Sequence, residues 1–210
     1  MKKDKYPADR ISTAIIIGHG RSGTSLAAYV LRMLGYGFPG STHPTKHEST
    51  PVVYNSDGRV NLKATKHAIE ELNRAFPRWG WKQPRDIFSR HQFLHLVRNP
   101  TFLIIHRNPL DIAMSASNKE LLHPDTYFFN YAEWFREFAT LMEQPTCPVV
   151  NISFEAIKTD PFREVGNIAK IFKQDATEAE VSTIADSISA STSYKSVFSG
   201  ASGIGDEEAL

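Results

Sequence analysis

AIIIGHGRSGTSL, running from Ala14 to Leu26, is the stretch on which the reading of this chain turns. Ala14–Ile17 is a short apolar run rich in β-branched residues, the pattern of a strand covered on both faces. Gly18, Gly20 and Gly23 follow and permit backbone conformations and close approaches that a side chain would block. From about Ser22 the periodicity turns helical, with Leu26, Val30 and Leu34 recurring at four-residue spacing. A strand, a glycine-rich turn and a helix N-terminus aim backbone N–H groups and the positive end of the helix dipole at one point. Phosphate or sulfate binds at such a point.

Gly18 and Gly23 have the frame of a nucleoside-triphosphate loop, but Thr24 stands where that loop carries its Lys. The available cation is Arg21, inside the turn, which argues against ordinary ATP or GTP hydrolysis. A second segment, TFLIIHRNPLDIAMSASN at Thr101–Asn118, repeats the strand-to-helix design. Phe102–Ile105 reads as a strand, Asn108 as an N-cap, Pro109 as a first-turn residue and Asp111 as a capping-box acid. Capping accounts for those last three without a ligand. It leaves over Arg107 at the strand end and Ser115 one turn beyond Asp111, a pair suited to gripping a second anion.

Taken together, these segments resemble the sulfotransferases that use 3′-phosphoadenosine 5′-phosphosulfate (PAPS). Gly20–Leu26, GRSGTSL, is similar to the family's 5′-phosphosulfate loop, with Arg21 where many members carry Lys. Arg107, Pro109, Asp111 and Ser115 match the R-x-P-x-D-x-x-x-S signature of the 3′-phosphate site. SFEAIKTDP at Ser153–Pro161 resembles a Y-E-D-L-x-x-x-P stretch, with Phe154 in place of Tyr. WKQPR, Trp81–Arg85, is similar to a K-D-P-R segment of bacterial and tyrosylprotein members, and all four fall in family order.

The resemblance implies an α/β fold with three layers: a mainly parallel central sheet flanked by helices, related to P-loop nucleotide kinases. It implies transfer of a sulfuryl group from PAPS to an acceptor hydroxyl or amine, with no metal. Arg21, Ser22, Gly23, Thr24 and Ser25 would hold the 5′-phosphosulfate, and Arg107 and Ser115 the 3′-phosphate. Arg21 would also act catalytically as an electrostatic clamp, since Arg stays protonated. HESTPVVYNSD, His47–Asp57, resembles the family's G-F-x-E-S…N-D stretch and puts Glu48 in the position of the catalytic base. His43 and His47 remain alternatives because an unperturbed imidazole titrates nearer neutrality. Lys82 either assists or is a strand-end surface Lys, and His19 either touches the ligand or is a spacer. Two other functions stay open: an ATP- and magnesium-dependent phosphotransferase, and a non-catalytic protein that retains the nucleotide site.

Composition bounds the rest. A chain of 210 residues is long enough for one domain with a substantial core, expected here over residues 1–210. A net charge of +1 gives no global attraction to nucleic acid or anionic membrane, so neither is expected as a partner. The single Cys147 excludes an internal disulfide and suits a reducing compartment. The opening MKKDKYPADR has no apolar core of signal-peptide length, and a cytoplasmic protein is expected. Eight His occur without HExxH or paired Cys spacing. The acceptor, whether small molecule, carbohydrate or peptide, is not readable, nor is the oligomeric state.

Helices are expected over Asn61–Phe76, Asp86–Val97, Tyr127–Glu143, Phe162–Phe172 and Thr177–Ile188, with strands at Trp79–Lys82 and Val149–Phe154. The aromatic helix Tyr127–Glu143 reads as core or as one wall of an acceptor pocket. Gly35–Arg59 reads as a long loop, and residues 1–11 and from about 191 to 210 as flexible ends.

Overall fold

The computed structural model describes residues 12–38, 50–82, 90–120, 124–143, 145, 147–173 and 175–190. Glu48, His43 and His47 lie outside the described residues, as do Arg85 and both chain ends.

Four strands form one sheet in the order β2-β1-β3-β4: β1 (Ser12–Ile17), β2 (Arg78–Lys82), β3 (Pro100–His106) and β4 (Val149–Ser153). Every pairing is parallel, with Ile15 opposite Trp81 on one side and Phe102 on the other, and Ile105 opposite Ile152. Parallel neighbours need crossovers, and helices supply them. The chain runs through α1 (Thr24–Met33) and α2 (Leu62–Ala75) between β1 and β2. A short α3 (Arg90–Phe93) and a 3-10 turn (Leu94–Leu96) lead to β3. Then come α4 (Pro109–Glu120) and α5 (Pro124–Glu143) before β4, and α6 (Phe154–Thr159), α7 (Pro161–Phe172) and α8 (Glu178–Ala190) after it.

Alternate residues of one strand point to opposite faces, and in β1 both sets are apolar, so both faces must be covered. Ala14 and Ile16 join Leu31 of α1, Ile168 of α7 and Ile184 of α8 in one core. Ile15 and Ile17 join Ile69 of α2, Trp81, Phe102 and Trp134 of α5 in the other. Burying one such side chain is worth ~1.5–3 kcal/mol, and these two clusters make the three layers. Trp79 and Trp81, two residues apart on β2, share the second core and stack with ring centroids 5.3 Å apart.

Element ends follow local chemistry. Asn61 caps α2 by accepting the Ala64 N–H, and Asp160 caps α7 through Arg163. The strand expected to run through Phe154 stops at Ser153, whose hydroxyl oxygen accepts the Ala156 N–H and starts α6. The long loop is not wholly irregular: Gly37 bridges to Trp79, and Tyr54 pairs with Val60 around a turn at Gly58. Among the described residues no helix is long and apolar enough to cross a membrane. The parallel arrangement brings the carboxyl ends of all four strands to one edge, the edge at which such sheets bind ligands.

A candidate anion site at the carboxyl edge of the sheet

The turn after β1 is closed by the Ser22 N–H donating to the His19 carbonyl at 3.0 Å. Arg21 (φ 71°) and Gly23 (φ 102°) both take left-handed backbone. For Arg21 that conformation costs ~1–2 kcal/mol, strain of the kind held at functional sites. At Gly23 any Cβ would also overlap the Phe154 ring, so the loop fits against α6 only with glycine there. α1 begins at Thr24 with no acidic residue in its first turn and no side-chain cap. The positive end of its dipole therefore has no first-turn carboxylate to neutralise it.

Three further elements converge on this loop. Arg21 Nη2 donates to Ser115 Oγ on α4 at 3.2 Å, across 94 positions of sequence. Arg107, at the end of β3, donates through Nη1 to the Arg21 carbonyl at 3.1 Å. The Arg107 guanidinium lies over the Phe154 ring, 4.7 Å from its centroid, a cation–π contact that fixes the plane of the fork. Even so, Arg21 Nε, Ser22 Oγ and Arg107 Nε are buried without a hydrogen-bond partner. Among the described residues neither guanidinium has a carboxylate within ion-pair distance.

Glu155 places a negative charge within electrostatic reach of Arg107. It accepts the Asn108 N–H at 2.9 Å and the Ser153 hydroxyl at 2.8 Å. Burial alone would raise its pKa, but the Asn108 amide, its own amide, the Ser153 hydroxyl and the Arg107 charge together hold it below the ordinary carboxylate value. The capping-box reading of Asp111 is therefore corrected. Asn108 does cap α4, through the Leu110 N–H at 2.9 Å, but the reciprocal bond comes from Glu155 on α6, while Asp111 is exposed.

Lys82 is not a surface residue. It is 3% exposed, and its Nζ donates to Ser25 Oγ at 3.2 Å, which brings a third cation under the loop. Thr24 is buried against Gly18, so nothing occupies the role of a triphosphate-loop Lys from that position. Thus Arg21, Ser22, Gly23, Thr24, Ser25, Arg107 and Ser115 meet at one edge, while Glu48 lies outside the described residues. Sequence alone leaves Lys82 undecided and gives no part to the Phe154 ring or the Glu155 carboxylate. The WKQPR and SFEAIKTDP similarities were the signals that pointed to them.

Opposite the loop stands α5. The His19 ring is 5.5 Å from Tyr131, and Tyr131 leads into a row of rings formed by Trp134, Phe135 and Phe138. Trp134 belongs to the core, whereas Phe129 (68%) and Phe135 (47%) are exposed, so the helix has one face in the core and rings on its outer side.

This architecture has counterparts among solved structures. A mouse sulfotransferase, SULT7A1, crystallised with PAP, superposes with a TM-score of 0.53 at 18% identity, over 88% of this chain and 66% of that one. The fold is a sulfotransferase fold. Retinol dehydratase in complex with androsterone and inactive cofactor PAP gives 0.46 at 12% identity, over 84% and 64%. A sulfotransferase from Alicyclobacillus acidocaldarius gives 0.46 at 16%, over 78% and 82%. The chain thus spans just under two thirds of the length of the first two. No family model matches the chain, and no curated protein matches it in sequence.

Proposed function

We propose that this chain is an enzyme that transfers a sulfuryl group from PAPS to an acceptor hydroxyl or amine. One observation carries the reading: buried donors on Arg21, Ser22 and Arg107 that lack protein partners, gathered at a helix N-terminus free of acid. Desolvated donors left unpaired cost ~1–3 kcal/mol each, so a site built this way is built for an anion. The donor set fits a nucleotide with separate 5′ and 3′ anionic groups. Arg21, Ser22, Gly23, Thr24 and Ser25 hold the 5′-phosphosulfate; Arg107 and Ser115 hold the 3′-phosphate.

When bound, PAPS supplies the sulfuryl group and a phosphate leaving group. The protein's task is to orient it and to stabilise negative charge growing on the departing oxygen. Arg21 does this by charge, and Lys82 adds to the same potential from beneath Ser25. No metal is assigned a part. Thr24 in the Lys position speaks against an ATP–magnesium phosphotransferase. The exposed rings of α5 offer an acceptor wall beside the loop. One Cys in the chain fits a reducing compartment, and the cytoplasm is the proposed setting.

Thermal unfolding tests the donor site. Desulfated 3′-phosphoadenosine 5′-phosphate at about 100 times its dissociation constant stabilises by ~2.7 kcal/mol. The expected result is stabilisation of wild type by this bisphosphate, not by ATP with magnesium or AMP, and its loss in Arg107→Ala. Stabilisation by ATP with magnesium instead, or by nothing, refutes the reading. Binding without sulfuryl transfer to any acceptor would favour a non-catalytic nucleotide-binding protein.

A further inference from the structure

We propose that His19 is the general base that accepts the proton of the acceptor hydroxyl, an inference that rests on the sulfotransferase reading above. His19 sits on the lip of the anion loop, two residues before Arg21, with its ring directed to Tyr131 on α5. It therefore lies between the cradle and the aromatic wall, the two surfaces between which donor and acceptor meet.

Its hydrogen bond sets its tautomer. Nδ1 lies 2.8 Å from the Gly20 carbonyl oxygen, and a carbonyl can only accept, so Nδ1 carries the proton. Nε2 is left with a lone pair. Burial lowers the imidazole's pKa below its ordinary 6.5, with the Gly20 carbonyl opposing, so the ring is neutral at pH 7. Among the described residues no carboxylate bears on it. Tyr131 faces it from α5, with its hydroxyl pushed upward by burial and then by Glu155, and is uncharged at neutral pH. Arg21 is the charged group of its own loop, and Arg107 approaches that loop from β3. An anionic nucleotide bound in the loop would favour the imidazolium. The base is thus weakly protonated before the donor arrives and better able to take a proton afterwards.

The step balances without a further reagent. The acceptor oxygen forms its bond to sulfur as the bond from sulfur to the bridging phosphate oxygen breaks. That electron pair stays on the 5′-phosphate, and the hydroxyl proton passes to Nε2. The products are the sulfate ester, the bisphosphate and an imidazolium that returns its proton to solvent.

His19→Asn tests this, because the amide keeps a donor where Nδ1 stood and removes Nε2. Water serves as acceptor, and release of inorganic sulfate from PAPS is the rate. The expected outcome is a fall of roughly 10²–10⁴-fold in His19→Asn, with the thermal shift from the bisphosphate retained. The wild-type rate should fall on the acid side below pH 6.5, and that limb should vanish in the variant. Nitrogen NMR of the imidazole should find the proton on Nδ1 at pH 7. Equal release by wild type and variant (including none by either), loss only in Glu48→Gln, or a proton on Nε2 overturns the role of His19 alone. Failure of the bisphosphate to bind wild type removes the site reading, and His19's role with it.

Discussion

Gly23→Ala is the sharpest test of how the cradle is built. Two costs add at this position. The backbone sits at φ 102°, where a Cβ costs ~1–2 kcal/mol. The new methyl also overlaps the Phe154 ring, and displacing a packed ring costs typically ~1–3 kcal/mol. The sum centres on ~3.5 kcal/mol, which for a domain of this size lowers the melting temperature by roughly 7–14 °C. Function should fail ahead of folding, because Phe154 is also the surface under the Arg107 guanidinium. Gly20→Ala is the control: no heavy atom lies within 4 Å of a Cβ there, so its melting should change by less than about 0.5 kcal/mol. Differential scanning fluorimetry of both variants, with and without 3′-phosphoadenosine 5′-phosphate, reads stability and binding in one assay. If Gly23→Ala melts with wild type and still responds to the bisphosphate, or if Gly20→Ala loses as much, the close fit of loop to α6 is not what shapes the site.

Two further results should follow. Lys82→Met replaces a buried ammonium with an apolar side chain of similar reach; folded stability should hold or rise, while bisphosphate affinity measured by calorimetry falls by about tenfold or more, ~1.4 kcal/mol. Unchanged affinity would take Lys82 out of the cradle. Glu180 is held at about 2, first by the side-chain hydrogen bond from Lys173 and then by the Thr177 amide. A depressed folded value means that the stabilisation is present above the ordinary 4.5 and is lost as pH falls through about 2. Carboxyl carbon NMR should find that low midpoint in wild type and an upward move in Lys173→Ala; a wild-type midpoint at 4.5 contradicts the pairing.

Much of this protein was legible one segment at a time. Ala14–Ile17 reads as a doubly covered strand and Phe102–Ile105 as a short apolar strand, and both are central strands of a parallel sheet. The Asn108 cap is visible because a cap spans only a few residues. Where reading failed, the competing contact came from afar. Asp111 has the right spacing for a capping box, yet Glu155 from another helix takes the Asn108 N–H first. Lys82 looks like any Lys at a strand end, and only its place beside α1 buries it against Ser25. Phe154 reads as the last residue of a strand until the Ser153 hydroxyl turns the chain into α6.

The glycine loop, the periodic elements and the set of cationic and hydroxyl side chains are all local, because periodicity, capping and left-handed turns depend on neighbours within a turn or two. That these side chains converge is a consequence of the fold. Strand order sets β3 between β1 and β4, and that placement brings Arg107 under the Arg21 carbonyl, Phe154 against Gly23 and Ser115 within reach of Arg21. No local pattern encodes which strands lie side by side. That choice comes from covering both faces of the sheet at once, a condition the whole chain satisfies together.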